Sequence, residues 1–514
     1  MRVEDFLIAS AAAQPDKIAL IAGERRLSYR DLDHASDRLA AALIRHGIQR
    51  GDRVVVFLDN CAEAVIAIFA ALKAGAVFCP INPSTKAEKV AFLLNDCRAS
   101  ALITGGRLGA VAHKAIASSA TVKVTVVANA MGDVPDRWLR LEDALAAACA
   151  PPPRPGIGLD LAMLIYTSGS TGLPKGVMMT HQAIVAAATA IASYLGNTAD
   201  DIVLSVLPVS FNYGLYQVLV TVKTGATLVL EKSFAFPQAV LQKAAAEHVT
   251  GLPLVPTMVA VLLRIEDFGP GRLPHLRYLT TASAPLAPSQ LTRLAERFPD
   301  AELFSMYGQT ECTRGTYLPP HELKARPDSV GIAIPGTEAT VVDDDGRPVA
   351  PGVVGELVIR GPHVMKGYWE NPEATARSLR PGPFEWEKVL HTGDLFRTDA
   401  AGFLYFVSRK DDIIKTRGEK VSPKEVETVI HALPGVHEVV VVGIDDAVLG
   451  TAIKAIVVAE PGALTGQDVI RHCARHLEDF MVPKEVEFRD TLPKSDNGKI
   501  DRRAVTTPAL EAAT

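Results

Sequence analysis

The sequence predicts an α/β protein. A large N-terminal domain of two α/β subdomains and a small β-barrel-like subdomain precedes a small α+β C-terminal domain. Three observations carry this reading. The chain has 514 residues, too many for one hydrophobic core, so it divides into two or more domains. Strand-like and helix-like segments alternate through residues 1–150 and again through 160–325, the rhythm of parallel sheets with helices on their faces. From about Asp328 to Ser408 the pattern changes to short strands between tight turns such as Asp344-Asp345-Gly346-Arg347.

The elements follow in order. Ser28 and Asp31 form a capping box that opens a helix with Leu32, Leu39 and Leu43 on one face, and Gly47 stops it. Arg53 to Leu58 reads as a buried strand, Ala62 to Lys73 as a helix, and Ala76 to Cys79 as the next strand. The proline-rich run Ala150 to Pro155 is a stiff connector. Leu161 to Tyr166, Ile202 to Leu207, Thr227 to Leu230, Tyr278 to Thr280 and Leu303 to Met306 are further strands, with another around Leu254. Past these, Pro423 to Leu433 and Thr465 to Leu477 read as helices, and Val439 to Val442 and Ile453 to Val458 as strands.

The composition narrows the function classes. Residues are 48% hydrophobic and 22% charged, ordinary for a globular enzyme. A net charge of −5 offers nothing to nucleic acid. The six cysteines are scattered without a CxxC pair, which suits neither a zinc site nor a disulfide framework and points to a reducing, cytoplasmic location. The N-terminus lacks the basic start and apolar core of a signal peptide. The most apolar stretch, Ala62 to Phe78, is broken by Glu63 and Lys73 and reads as core rather than as a membrane span.

Ligands of such sheets bind beyond the carboxyl ends of the strands, and there the polar signatures gather. Behind Leu161 to Tyr166 comes Thr167-Ser168-Gly169-Ser170-Thr171-Gly172-Leu173-Pro174-Lys175-Gly176. Its glycines let successive backbone N–H groups turn toward one point, its hydroxyls add donors, and Lys175 adds a mobile positive charge. The loop therefore suits a polyphosphate; the plainer alternative is a surface turn. It is not the common P-loop, because Pro174 precedes Lys175. Behind Leu303 to Met306 stands Tyr307-Gly308-Gln309-Thr310-Glu311. Tyr307 offers a flat face to a purine, Thr310 can reach a phosphate, and Glu311 can hold Mg²⁺, which prefers oxygen ligands. Alone, this segment would also suit a helix start with an acid in its first turn.

Taken with the phosphate loop, these residues resemble the AMP-forming adenylating enzymes: the acyl-CoA synthetases, the adenylation domains of peptide synthetases, and the luciferases. The resemblance extends over nearly the whole chain and implies two half-reactions. A carboxylate attacks the α-phosphate of ATP and releases pyrophosphate, then a thiol attacks the acyl-adenylate and releases AMP. By the same resemblance, Thr281-Ala282-Ser283-Ala284-Pro285 is the adenine-contacting turn, with Ser283 where the family usually has glycine, and Ala284 and Pro285 beside the base. Asp394 in His391-Thr392-Gly393-Asp394-Leu395 matches the ribose-binding aspartate, and Arg409 a residue on ribose and phosphate. Asp411 matches the pivot of a hinge at 409–413, which joins an AMP-binding domain at 1–408 to a mobile domain at 414–510. Gly418 matches the glycine past which a pantetheine thiol approaches. Lys499 matches the catalytic lysine that bridges the substrate carboxylate and the α-phosphate.

The same resemblance places the acid pocket at Phe211, Asn212, Tyr213 and Gly214. Amino-acid-activating relatives carry an aspartate where Asn212 stands, so the expected substrate is a fatty or aryl acid without an α-ammonium group. No carrier-protein domain follows the C-terminal domain in this sequence, so the acceptor is expected to be free CoA. Loading a separate phosphopantetheinylated carrier protein is the alternative, and a non-catalytic nucleotide-binding protein the alternative of another class.

Overall fold

The structure is a computed structural model that describes residues 1–130, 134–135, 137–168, 174–283, 286–416, 419–446, 450–494 and 500–506. Two large sheets form the N-terminal region. In the eight-stranded sheet, Arg53–Phe57 is flanked by Val77–Pro80 and Ala99–Gly105, all parallel. In the nine-stranded sheet, the parallel strands Thr227–Leu230, Ile202–Ser205, Gly251–Leu254, Tyr278–Thr281 and Glu302–Tyr307 lie side by side.

The expected helices form for identifiable reasons. Ser28 Oγ accepts the Asp31 N–H at 3.1 Å, and the Asp31 carboxylate accepts the Ser28 N–H at 3.0 Å, a complete capping box at the start of Tyr29–Arg45. Such a cap contributes ~1 kcal/mol. Helix Ala62–Lys73 is buried along its whole length, as its nearly uninterrupted apolar sequence requires. It packs against Tyr29–Arg45, and its residues belong to one apolar core shared by both large sheets. A second core covers the other face of the eight-stranded sheet.

The two sheets do not divide the chain at the connector, as the repeated rhythm implied. Ile18–Ala22 crosses over to pair in parallel with Thr227–Leu230, Leu20 opposite Leu228. Conversely, Leu161–Ser168 and Pro174–Thr180 join the eight-stranded sheet as an antiparallel hairpin. Gly367–Tyr368 then adds to the edge of that hairpin. The small subdomain is a five-stranded antiparallel sheet of Glu338–Val342, Gly355–Arg360, Leu379–Pro381, Lys388–Thr398 and Leu404–Arg409. Among the described residues no strand pairing closes it into a ring.

The C-terminal region has an apolar core of its own, with Ile414, Val421, Val426 and Val441 at its centre. Val436–Asp446, Gly450–Ala459 and Glu485–Phe488 form its sheet, and Pro423–His431 and Gly466–His476 its helices. Among the described residues, no helix is long and apolar enough to cross a membrane.

Candidate active site

The hairpin places Thr167 opposite Lys175 and Ser168 opposite Pro174. Gly169, Ser170, Thr171 and Gly172 lie outside the described residues, as do Ala284, Pro285, Gly418 and Lys499. Ser283 is described, and it holds a left-handed φ of 82°. The family's usual glycine adopts that conformation without strain, while serine carries a steric cost there.

Tyr368, which sequence reasoning did not single out, ties the phosphate-loop hairpin to the 307–311 segment. Its backbone pairs with Val177. The Lys175 ammonium sits 5.5 Å from its ring centroid, and its hydroxyl donates to Glu311 Oε1 at 2.7 Å. Burial, with the Glu311 charge beside it, pushes the Tyr368 phenol well above its ordinary pKa, so it stays a donor. The carbonyl of Glu311 also accepts the Met365 N–H at 2.8 Å. One tyrosine thus holds both groups, the cation by its ring and the carboxylate at its hydroxyl.

The second cluster surrounds Asp394, which is 5% exposed. The Tyr307 hydroxyl donates to Asp394 Oδ2 at 2.6 Å, and Arg409 Nε lies 3.0 Å from Oδ1. Burial first, and then the Asp394 charge, raises the Tyr307 phenol far above its usual range. The Gln309 amide donates to the Thr392 carbonyl at 3.2 Å, which locks the turn against the strand bearing Asp394. That turn needs glycine at Gly308, because a Cβ there would stand 2.6 Å from the Thr313 carbonyl oxygen. Thr310 and Glu311 follow, half-buried. The segment is a turn leading to Thr316–Tyr317, not a helix start.

Behind Asp394, Glu356 supports the backbone. Its carboxylate accepts the Gly393 N–H at 3.0 Å and lies 3.3 Å from His391 and 3.6 Å from Lys410. Burial opposes its charge, but these partners hold its pKa down to about 2. Lys410 N–H donates to the Gly393 carbonyl at 2.8 Å. The chain therefore leaves the Asp394 cluster directly into 409–413, where Asp411 is exposed.

The expected acid pocket forms the start of helix Asn212–Thr224, with Phe211 at its N-cap. The Tyr213 hydroxyl is engaged by Thr280, 2.6 Å from its Oγ1. A Cβ on Gly214 would stand 2.3 Å from the Pro208 carbonyl oxygen, so the helix turns tightly there. The Asn212 amide oxygen is buried without a hydrogen-bond partner among the described residues. Arg314 lies against this wall, its guanidinium 5.1 Å from the Tyr213 ring centroid. Sequence reasoning passed over it, because nothing in Cys312-Thr313-Arg314-Gly315 by itself marks a site.

Two family models match the chain: AMP-binding enzyme over residues 7–369, and AMP-binding enzyme C-terminal domain over residues 425–499. A long-chain-fatty-acid–CoA ligase of Salmonella typhimurium is 31% identical, over 97% of this chain and 93% of that protein. An indoleacetate–CoA ligase of Aromatoleum aromaticum is 32% identical, over 97% of this chain and 96% of its own length. The crystal structure of ATP-bound MatB from Rhodopseudomonas palustris superposes with a TM-score of 0.88 at 29% identity, over 98% of both chains.

Proposed function

The chain belongs to the AMP-binding enzyme family, and from that premise we propose that it is an AMP-forming acid–thiol ligase. It activates a carboxylic acid as the acyl-adenylate and passes the acyl group to coenzyme A. A carboxylate oxygen bonds to the α-phosphorus as the bond to the β-phosphate oxygen breaks, releasing pyrophosphate. The thiol sulfur then bonds to the acyl carbon, the thiol proton passes to solvent, and AMP leaves with the electron pair of the acyl–oxygen bond.

The observation that carries this reading is the Tyr368 bridge, which holds a phosphate-seeking cation by its ring and a metal-seeking carboxylate at its hydroxyl, next to the Asp394 cluster. In it, Asp394 takes the ribose hydroxyls, Arg409 reaches ribose and phosphate, and Tyr307 and Gly308 border the adenine. Lys175, with Thr167 and Ser168, cradles the outer phosphates, and Thr310 contacts them from the facing turn. Glu311 fits a magnesium ion: one carboxylate oxygen is tied by Tyr368, and this ion is commonly held by one or two carboxylates together with substrate phosphates and water. When bound, the ion neutralises phosphate charge. Among the described residues, no cluster of three or more His, Cys, Asp or Glu side chains offers a rival metal site. The protein's own task is positioning and electrostatics.

The proposed division into a domain at 1–408, a hinge at 409–413 with Asp411 as pivot, and a domain at 414–510 is supported by the separate apolar core of the C-terminal region. Rotation at the hinge exchanges Lys499, used for adenylation, for Gly418, used for thiol approach. Pyrophosphate release and acyl transfer are measured separately to test this. Lys499→Ala is expected to slow adenylation ~10²–10³-fold, as loss of a transition-state charge partner does, while sparing reaction of a supplied acyl-adenylate with CoA. Gly418→Leu is expected to do the reverse. Equal loss in both half-reactions for either variant counts against the exchange. Failure of every acid to release pyrophosphate counts against the ligase itself.

A further inference from the structure

Arg314 is 4% exposed. Arginine cannot shed its proton inside a protein, so its charge has to be met where it is. Yet among the described residues no carboxylate lies within ion-pair distance of it, and its Nε is buried with no hydrogen-bond partner. The groups beside its side chain are neutral: the Tyr194 hydroxyl and the Tyr213 ring. The guanidinium lines a narrow cavity together with Tyr216, Gln217, Val220, Ile191 and Tyr278, between helices His181–Tyr194 and Asn212–Thr224. An uncompensated buried charge is among the costliest features a fold can carry.

Position says what meets that cost. Arg314 is three residues beyond Glu311 and packs on Tyr213, so it adjoins the helix start proposed to line the acid pocket. The acid's reacting carboxylate belongs with the phosphates near Glu311. A second anionic group, carried on the far end of the same acid, would find in Arg314 an unanswered cation beside Tyr213.

We propose that Arg314 is a specificity-determining residue, and that the substrate class of this ligase is an acid with a second carboxylate at its far end. This rests on the ligase reading and revises the fatty or aryl acid expected for the pocket at Phe211, Asn212 and Tyr213. It sharpens the exclusion of α-amino acids, because the same guanidinium repels an ammonium group.

The test compares glutarate, adipate and suberate with their monomethyl esters, which match them in size but have neutral tails. Pyrophosphate release is measured with the full chain, ATP and Mg²⁺. For at least one length the diacid is expected to exceed its monoester about tenfold or more in kcat/KM, the scale of one charge-assisted contact. Arg314→Met is expected to abolish or invert that ratio, and Arg314→Lys to keep part of it. Thermal shift supplies a readout independent of turnover: the diacid should raise the Tm of the wild-type chain more than that of Arg314→Met. Monoesters turned over as well as diacids, a ratio unchanged in Arg314→Met, or equal thermal shifts would each overturn the proposal and leave the ligase reading standing. So would stabilisation by chloride alone that no diacid adds to. Failure of every acid tested to release pyrophosphate, alongside a diacid-specific thermal shift that Arg314→Met removes, would instead sink the ligase reading and keep the anion site.

Discussion

Two buried cations in this molecule are treated in opposite ways. Lys73 ends the helix at the centre of the core and is 1% exposed, but its ammonium lies 2.6 Å from Asp33 and 2.7 Å from Asp37 and also donates to the Asp33 carbonyl at 2.9 Å. Every proton it carries is met by the helix beside it. Arg314, nearly as deep, faces tyrosines and a cavity. The difference separates a charge that the fold answers itself from one whose answer has to come from a ligand. Burial alone therefore marks nothing as functional; burial without a counter-charge does.

Three substitutions test how far that contrast holds, in order of expected effect. Lys73→Met leaves two acids facing each other beside the core, and should cost about 3–5 kcal/mol of stability, the usual result of breaking a buried ion pair from one side. Denaturant unfolding measures it, and a loss below ~1 kcal/mol would mean that Lys73 is not compensated as described. Glu356 is the anionic counterpart, buried and fully answered. Its folded pKa of about 2 lies below its unfolded value of 4.5, so it binds fewer protons folded than unfolded. Its contribution, about 3 kcal/mol by linkage, is present above pH 4.5 and fades as pH falls toward 2. The stability gap between the wild-type chain and Glu356→Gln should shrink across that window, and a gap independent of pH would refute the assignment. Arg314→Met should change stability by no more than about 1 kcal/mol, or raise it, because an apolar side chain replaces an unanswered charge. A loss as large as that of Lys73→Met would show that Arg314 is structural.

Local features were legible in the sequence wherever the cause was local. The capping box at Ser28, the helix Ala62–Lys73 and the strand Thr227–Leu230 appear as read, because each depends on a few neighbouring residues. The 307–311 motif and Asp394 were also visible, and the structure joins them through the Tyr307 hydroxyl. The interleaving of the sheets was not visible, since nothing near Leu20 specifies Leu228 as its partner. Tyr368 and Arg314 were missed for the same reason. A tyrosine in Gly367-Tyr368-Trp369 and an arginine in a turn acquire meaning only when residues 57 and 101 positions away come to meet them, Glu311 and Tyr213. Ser283 was visible as a departure, but only its φ of 82° says what the departure costs.

The crossover of Ile18–Ala22 also governs how the chain is made. This strand leaves the ribosome early, yet its parallel partner Thr227–Leu230 follows some two hundred residues later. The edge of the other sheet waits for Gly367–Tyr368. Neither sheet is complete on the nascent chain until most of the large N-terminal region has been synthesised, and for that interval the apolar strands have open edges. The C-terminal region pairs its strands within a span of residues 436–488 and closes its own core soon after it emerges. Synthesis thus presents a long vulnerable phase followed by a short secure one, and slow elongation or a shortage of chaperones would fall on the nucleotide-binding part of the enzyme.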